Sequence, residues 1–283
     1  MSSPVSRRAA VLGSPIQHSL SPMLHRAAYV ELGLDWTYDA YDVDKARLPG
    51  FLAELDGSWV GLSLTMPLKH AVIPLLDEVS PLAAQVEAVN TVSLTDGRRS
   101  GDNTDVPGMV AALHAHRVSR VTSVAILGGG ATARSAFAAV RDFVGSGAPS
   151  GEVTGYLRRP ERAASLRQLA ERLNQHLTVA PWQAAAAGLR ADLVIATTPA
   201  GATDSLADSI PPQPGILFDV VYHPWPTRIA AAWQAAGGTV ISGLDFLVHQ
   251  AALQVQLMTG QPAPLAAMRT AGQTALVARN PRK

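Results

Sequence analysis

The stretch "VTSVAILGGGATARSA", Val121–Ala136, decides how this chain is read. A short apolar strand pattern runs into three glycines, and a helical pattern, "ATARSAFAAVRDF", follows at once. Gly128, Gly130 and Ala133 stand in the order G-x-G-x-x-A. In that order the first glycine permits a tight turn and the second lets backbone approach a pyrophosphate. The small third residue lets helix and strand pack closely, and the helix start at Ala131 offers free N–H groups to an anion. A structural turn is the alternative reading of the motif taken alone, but its strand–loop–helix context favours dinucleotide binding.

The next strand pattern, "EVTGYLR", ends in "GYLRRPER". An NAD site usually wants an acid there for the ribose 2′-hydroxyl, and none comes before Glu161. Arg158 and Arg159 stand there instead, and a guanidinium pairs with a 2′-phosphate, so NADP is the expected cofactor. Arg134, near the start of the glycine-loop helix, is a candidate for the same clamp. Two solvated surface arginines are the bland alternative.

Strand and helix patterns then alternate through "ERAASLRQLAERL", "ADLVIATT", "GILFDVV" and "GGTVIS" to a long helix over Gly243–Thr259. Upstream, "RAAVLG", "WTYDAYDV", "WVGLSLT" and "NTVSLT" read as strands. "SPMLHRAAYVELG" and "DKARLPGFLAEL" read as helices, the second weakened by Pro49. Strands joined by crossover helices imply an α/β protein with mainly parallel sheets. The restart of the pattern near Pro107 suggests a first domain at 1–106 and a dinucleotide-type Rossmann domain at 107–243.

Composition narrows the field. The 283 residues are 47% hydrophobic and 16% charged, enough for sizeable cores, and the net charge of +1 gives no electrostatic case for a nucleic-acid or membrane partner. Cysteine is absent, which excludes disulfides and thiolate metal sites and suits the cytoplasm. "SRRAAVLG" faintly resembles a twin-arginine export signal, but its apolar run stops at Leu12, too short for a signal core. The histidines are scattered without ligand spacing, and His114 and His116 cannot share a helix face, so no metal is expected. Trp182, Trp225 and Trp233 read as packing residues.

Three polar pieces sit at strand ends or helix starts. They are Ser19 and Ser21 in "GSPIQHSLSP", Thr65 and Lys69 in "GLSLTMPLKH", and Asn90 with Asn103, Thr104 and Asp105 in "VNTVSL…GDNTDVPG". Singly each reads as a cap, a turn or a solvated charge, and Ser21 before Pro22 fits a helix N-cap. Together, with "GGGATAR", "ATTPAG", "FDVVYHPWPT" and "ISGLDFLVHQAA", they resemble the shikimate dehydrogenase family in order and spacing, in wording closest to its actinobacterial branch.

The resemblance implies a substrate domain first, an inserted NADP domain, and closing helices, 244–283, that return to the substrate domain. It implies NADP-dependent interconversion of 3-dehydroshikimate and shikimate, a step toward chorismate and the aromatic amino acids. Lys69 and Asp105 match the catalytic pair, and Ser19 and Ser21 match the carboxylate ligands. Thr65, Asn90 and Gln250 match pocket ligands, and Tyr222 lies near the substrate. Gly243 matches a glycine beside the nicotinamide, and Arg158 matches the 2′-phosphate reader. The glycine loop, with Gly128, Gly130 and Ala131, matches the cofactor cradle.

Four positions depart from the family pattern: Ser63 stands for Asn, Leu157 for a polar residue, and the pair Asp245-Phe246 for Gly-Met. The rival expectations are a quinate-active paralogue using NAD and a non-catalytic dinucleotide sensor. A small-molecule substrate is the expected partner, and a monomer or homodimer the expected state.

Overall fold

The computed structural model describes residues 6–144 and 152–279. The chain divides into two compact units, Met1–Thr104 with Leu247–Lys283, and Asp105–Phe246.

The first unit opens with β1 (Arg7–Gly13), α1 (Ser21–Glu31), β2 (Trp36–Asp42) and α2 (Leu48–Ala53). It continues through β3 (Trp59–Leu64), α3 (Leu68–Ala71), β4 (Glu78–Val79), α4 (Pro81–Val86), β5 (Thr91–Thr95) and β6 (Arg98–Asp102). Among the described residues these strands form one six-stranded sheet in the order β2-β1-β3-β5-β6-β4. β1 pairs in parallel with β2 and β3, and β4 with β6, while β5 runs antiparallel to β3 and β6. The twin arginines, Arg7 and Arg8, are the first residues of β1. Pro49 falls in the first turn of α2, where its missing N–H costs nothing, so it starts the helix instead of weakening it. Asp44 fills the preceding turn, accepting from the N–H groups of Ala46 and Arg47 at 3.0 and 2.9 Å.

The β5–β6 hairpin turns at Asp96-Gly97, both with positive φ (50° and 78°), the pair of conformations that a two-residue type I′ hairpin demands. The core of this unit is apolar on both sheet faces. Leu12, Leu52, Leu62, Leu68 and Val92 pack in one cluster, and Val11, Ile16, Tyr29 and Tyr38 in another with Met258.

The second unit begins with α5 (Asp105–Ala115), so the join expected near 107 falls inside that helix's first turn. Then come β7 (Ser123–Leu127), α6 (Ala131–Ala139), β8 (Glu152–Leu157), α7 (Ala163–Leu173) and β9 (Thr178–Pro181). The series closes with α8 (Ala185–Gly188), β10 (Leu193–Ala196), β11 (Ile216–Asp219), α9 (Arg228–Ala235) and β12 (Thr239–Ile241). The strand order is β12-β11-β10-β7-β8-β9, and every pairing is parallel. β7 and β10 are nearly continuous apolar runs, as central strands covered on both faces require. The order reverses beside β7, which places the crevice for a ligand at the carboxyl ends of β7 and β10.

α10 (Gly243–Thr259) begins in the second unit and passes into the first, where α11 (Leu265–Arg279) packs along α1. Two α/β units, one carrying a fully parallel doubly wound sheet, are the architecture expected from the alternating pattern.

Candidate active site

In the first unit the chemistry-bearing residues collect at one end of the sheet, after β1, β3 and β6 and just before the antiparallel β5. The loop after β1 is tied to the loop after β3: Thr65 N donates to Leu12 O at 2.9 Å, and Ser14 N to Met66 O at 3.0 Å. Gly13 is needed at this crossing, because a Cβ there would run into Thr65 and the Met66 carbonyl. Leu68 N donates to Thr65 O at 2.8 Å and opens α3, which carries the half-buried Lys69. The Lys69 carbonyl accepts from Val89 N at 2.8 Å, and the Asn90 carbonyl from Leu64 N at 2.7 Å. Backbone bonds thus bring the segments of Thr65, Lys69 and Asn90 together.

Ser19 and Ser21 share the entry to α1 in a way the cap reading of Ser21 did not foresee. The helix begins at Ser21, with Leu20 at the cap position and no side-chain cap at it. It is Ser19 whose Oγ accepts the Ser21 N–H, at 3.2 Å. A hydroxyl two residues back reaches that donor, whereas Ser21's own, inside the first turn, does not serve as the cap. The loop is also gripped from α11: Arg279 donates to the carbonyls of His18 at 2.8 Å and Ser19 at 3.4 Å.

The Asn90 side chain bonds to three other residues. Its Oδ1 accepts from Thr104 N at 2.7 Å and from the Thr91 hydroxyl at 3.0 Å, and its Nδ2 donates to Thr104 Oγ1 at 2.9 Å and Gln250 Oε1 at 3.3 Å. The Gln250 Nε2 donates to Leu247 O at 3.0 Å. Asn90, Thr91, Thr104 and Gln250 are all buried. Asn103 fixes the same turn by donating to Ala88 O at 2.8 Å. Asp105, one peptide bond beyond Thr104, is buried in the first turn of α5, in the second unit.

Next to this cluster His25 stacks on Tyr38, ring centroids 3.9 Å apart, while its Nδ1 meets Ser21 O at 2.9 Å. Burial lowers its pKa from 6.5 to about 4, only partly opposed by the bond to the Ser21 carbonyl. Burial pushes the Tyr38 phenol well above its usual range.

In the second unit the glycine loop has the form a dinucleotide needs. Gly128 adopts φ +125°, which L side chains rarely adopt, and a Cβ there would meet Thr197 Oγ1. Gly130 holds the cap position of α6 in extended conformation with no side-chain cap, so the N–H groups from Ala131 onward begin a helix without one. Thr197 and Thr198, just beyond β10, stand beside this turn, and the Thr197 hydroxyl donates to Leu127 O at 3.0 Å.

The arginines divide. The Arg134 guanidinium bonds the Ser165 carbonyl at 3.0 Å and the Ser165 hydroxyl, joining α6 to α7. Arg158 is exposed and lies over the Trp182 ring, 5.8 Å from its centroid. Arg162 was not singled out from sequence, yet it borders the glycine loop: Cβ atoms added at Gly129 and Gly130 would come within 3.5 and 3.4 Å of its side chain. Its place four residues after Arg158 in the same basic loop, "LRRPER", was the signal that could have found it.

Two departures from the family pattern acquire reasons here. Leu157 is buried with Ala163 and Leu166. Asp245 accepts from the Ser242 hydroxyl at 2.8 Å while its own N–H donates to Ser242 Oγ at 3.3 Å, a reciprocal cap for α10, and His116 stands 3.5 Å from the same carboxylate. Phe246 packs edge-on against Phe218.

Gly243, at the start of α10, lies so close to Val220 that any Cβ would strike its carbonyl. Tyr222 is half-buried in the loop after β11. That loop is held by Asp219, which accepts from Val221 N at 3.1 Å and the Thr227 hydroxyl at 2.7 Å. Burial raises the Asp219 pKa, and the two hydrogen bonds oppose the rise. Among the described residues no group of three His, Cys, Asp or Glu could hold a metal ion, and no helix is long and apolar enough to cross a membrane.

Comparison with known proteins gives these geometries a family. The model of the shikimate dehydrogenase substrate binding domain matches residues 11–92, and that of the shikimate 5′-dehydrogenase C-terminal domain matches residues 243–271. A protein of Thermus thermophilus named shikimate dehydrogenase (NADP(+)) is 38% identical over 273 residues, covering 95% of this chain and 98% of its own. Among solved structures, Mycobacterium tuberculosis shikimate dehydrogenase superposes with TM-score 0.84 at 37% identity, over 95% of this chain and 99% of that one. A Thermus thermophilus shikimate 5-dehydrogenase in complex with NADP(H) and shikimate gives TM-score 0.82 at 36% identity, over 95% and 100%.

Proposed function

The chain belongs to the shikimate dehydrogenase family, and we propose that it catalyses the reversible, NADP-dependent reduction of 3-dehydroshikimate to shikimate. One observation carries this reading: likeness to a protein named shikimate dehydrogenase (NADP(+)) extends over 95% of the chain and so through both units. The local chemistry supports it. The Gly128 cradle, which a Cβ would fill, and the uncapped N-terminus of α6 fit a pyrophosphate. Arg158 and Arg162 supply guanidinium groups suited to a 2′-phosphate, with no acid at the end of β8 to favour a free 2′-hydroxyl. Arg134 contributes by fixing α6 to α7, with Ala131 presenting backbone and Gly243 allowing close approach near the nicotinamide.

NADP(H), when bound, supplies or accepts the hydride. The protein's residues bind, orient and move the proton. Lys69 donates a proton to the ketone oxygen in reduction and takes it from the hydroxyl in oxidation, and Asp105 is the second member of the catalytic pair. Ser19 and Ser21, at the start of α1, bind the substrate carboxylate, where N–H groups of a helix N-terminus already favour an anion. Thr65, Asn90, Gln250 and Tyr222 meet the hydroxyl-bearing ring. We place the enzyme in the cytoplasm, which its lack of cysteine suits, acting as a monomer or homodimer on a small-molecule substrate.

Absorbance assays of purified protein with shikimate or quinate, and with NADP(+) or NAD(+), test the reading. Turnover of shikimate with NADP(+) is the expected result. A clear preference for quinate with NAD(+) overturns it, and no turnover with any pair points to a non-catalytic sensor. Lys69→Ala should lower kcat by about 10²- to 10⁴-fold, as loss of a proton-transfer group does, while shikimate binding survives. Near-normal turnover would remove Lys69 from its role.

A further inference from the structure

Behind Asn90 lies a line of buried polar side chains that the chemistry just described does not use. The Tyr38 hydroxyl donates to Ser63 Oγ at 2.6 Å, and Ser63 donates to Gln254 Oε1 at 2.9 Å. Gln254 Nε2 then donates to the Asn90 carbonyl and to Thr91 Oγ1, each at 3.1 Å. Thr91 in turn donates to Asn90 Oδ1, and Asn90 Nδ2 donates to Gln250 Oε1. Tyr38, Ser63, Gln254, Thr91 and Asn90 are each at most 3% exposed.

The direction of this line is fixed by groups that cannot reverse. The Asn90 carbonyl can only accept, so Gln254 must turn its NH₂ toward it and its oxygen toward Ser63. The one proton of Ser63 is then spent on Gln254, and its lone pair is left for the Tyr38 phenol. At the other end Thr104 N–H can only donate, which sets the Asn90 carboxamide, and the Leu247 carbonyl sets Gln250. Every donor points from Tyr38 toward the proposed substrate ligands, an alignment in which each bond polarises the next. Ser63 and Thr91 are cross-strand partners in β3 and β5, and Gln254 from α10 bonds both. The bonds therefore tie a helix from the end of the chain to the strand pair that carries Asn90.

We infer that Gln254, set in place by Ser63 and Tyr38, is a positioning residue that holds Asn90 and Gln250 in the orientation that meets the substrate ring. Ser63 is a link in this line, its donor committed to Gln254, and it does not donate to substrate. The inference rests on the proposed placing of Asn90 at the substrate.

Steady-state kinetics on the full chain test it. Gln254→Leu should raise the shikimate KM about tenfold and leave the NADP(+) KM unchanged, since misplaced ligands on one substrate lose binding to that substrate alone. Tyr38→Phe, at the head of the line, should act in the same direction by about twofold to threefold. Asn90→Ala should raise the shikimate KM on its own, and adding Gln254→Leu to it should cost little more, because the two act through one interaction. A Gln254→Leu enzyme with the parental shikimate KM overturns the inference. So does one that weakens both substrates in parallel with a fall in Tm, or one whose effect adds in full to that of Asn90→Ala. If Asn90→Ala alone leaves the shikimate KM unchanged, the substrate-site reading fails first. If Asn90→Ala raises it and Gln254→Leu does not, only the positioning role fails. Should Gln254→Leu not fold, Gln254→Glu keeps the shape, faces the Asn90 carbonyl with an oxygen, and carries the same expectations.

Discussion

His25 shows how a buried residue beside the candidate site can matter through its protonation alone. It is fully enclosed between the start of α1 and the Tyr38 ring, and its Nε2 has no hydrogen-bond partner. The folded protein therefore keeps it neutral down to about pH 4, while the unfolded chain protonates it near 6.5. As pH falls through that window the unfolded state binds the proton first, so the stability His25 contributes is whole above 6.5 and is lost toward 4. The shift corresponds to about 3 kcal/mol. His25→Phe keeps a ring against Tyr38 and removes the titration. Denaturant midpoints of parent and variant should diverge in their pH slope between about 4 and 6.5 and run parallel above it. Ser19 and Ser21 make a related point. The sequence marks both as unusual, but which one caps the helix depends on whether the turn begins one residue earlier or later, and only coordinates resolve that.

Elements were legible wherever a local rule had no competitor. The apolar runs of β1, β7, β8 and β10, the glycine turn and the span of α10 all follow from pattern and breakers alone. The strands that escaped notice are β4, β6 and β9. β6 reads "RRSGD" and has no apolar alternation; it exists because β5 and the Asp96-Gly97 turn offer it a ladder. β4 and β9 are short edge strands, held by their neighbours rather than by their own propensity. The candidate site was legible as a set of residue types at strand ends. The line from Tyr38 to Asn90 was not, since it joins positions up to 191 residues apart through side-chain geometry.

Helix α9 offers a test at this scale. Thr227 caps it by accepting from Ala230 N at 3.2 Å and also donates to the buried Asp219 that holds the Tyr222 loop. Thr227→Ala removes both bonds and should cost about 2 kcal/mol, read by denaturant unfolding. A loss no larger than that of an exposed threonine would show that Asp219 finds another donor.

At the scale of the molecule, the proposed 2′-phosphate reader and the proposed carboxylate ligands Ser19 and Ser21 fall in separate units, the serines in the first and the arginine in the second. Arg158 belongs wholly to the second, so Arg158→Ala should weaken NADP(+) by about tenfold or more while NAD(+) binding changes little, because the bonds proposed for it are charge-assisted contacts to the 2′-phosphate alone. Titration with both dinucleotides measures the ratio, and equal losses would place the discrimination elsewhere, with Arg162 the next candidate.

The division at Thr104 and Phe246 has a consequence for the order in which the protein is made. The second unit is continuous in sequence, so its sheet is complete once residue 246 has left the ribosome. The first unit is not. Met258, which packs with Val11, Tyr29 and Tyr38, and Gln254, which secures Asn90, are supplied only by the last stretch of chain. The N-terminal part must therefore wait through the synthesis of an entire intervening body with its sheet paired but one apolar face short of its helix cover. The residues that complete the core of the first unit are thus among the last of it to be made.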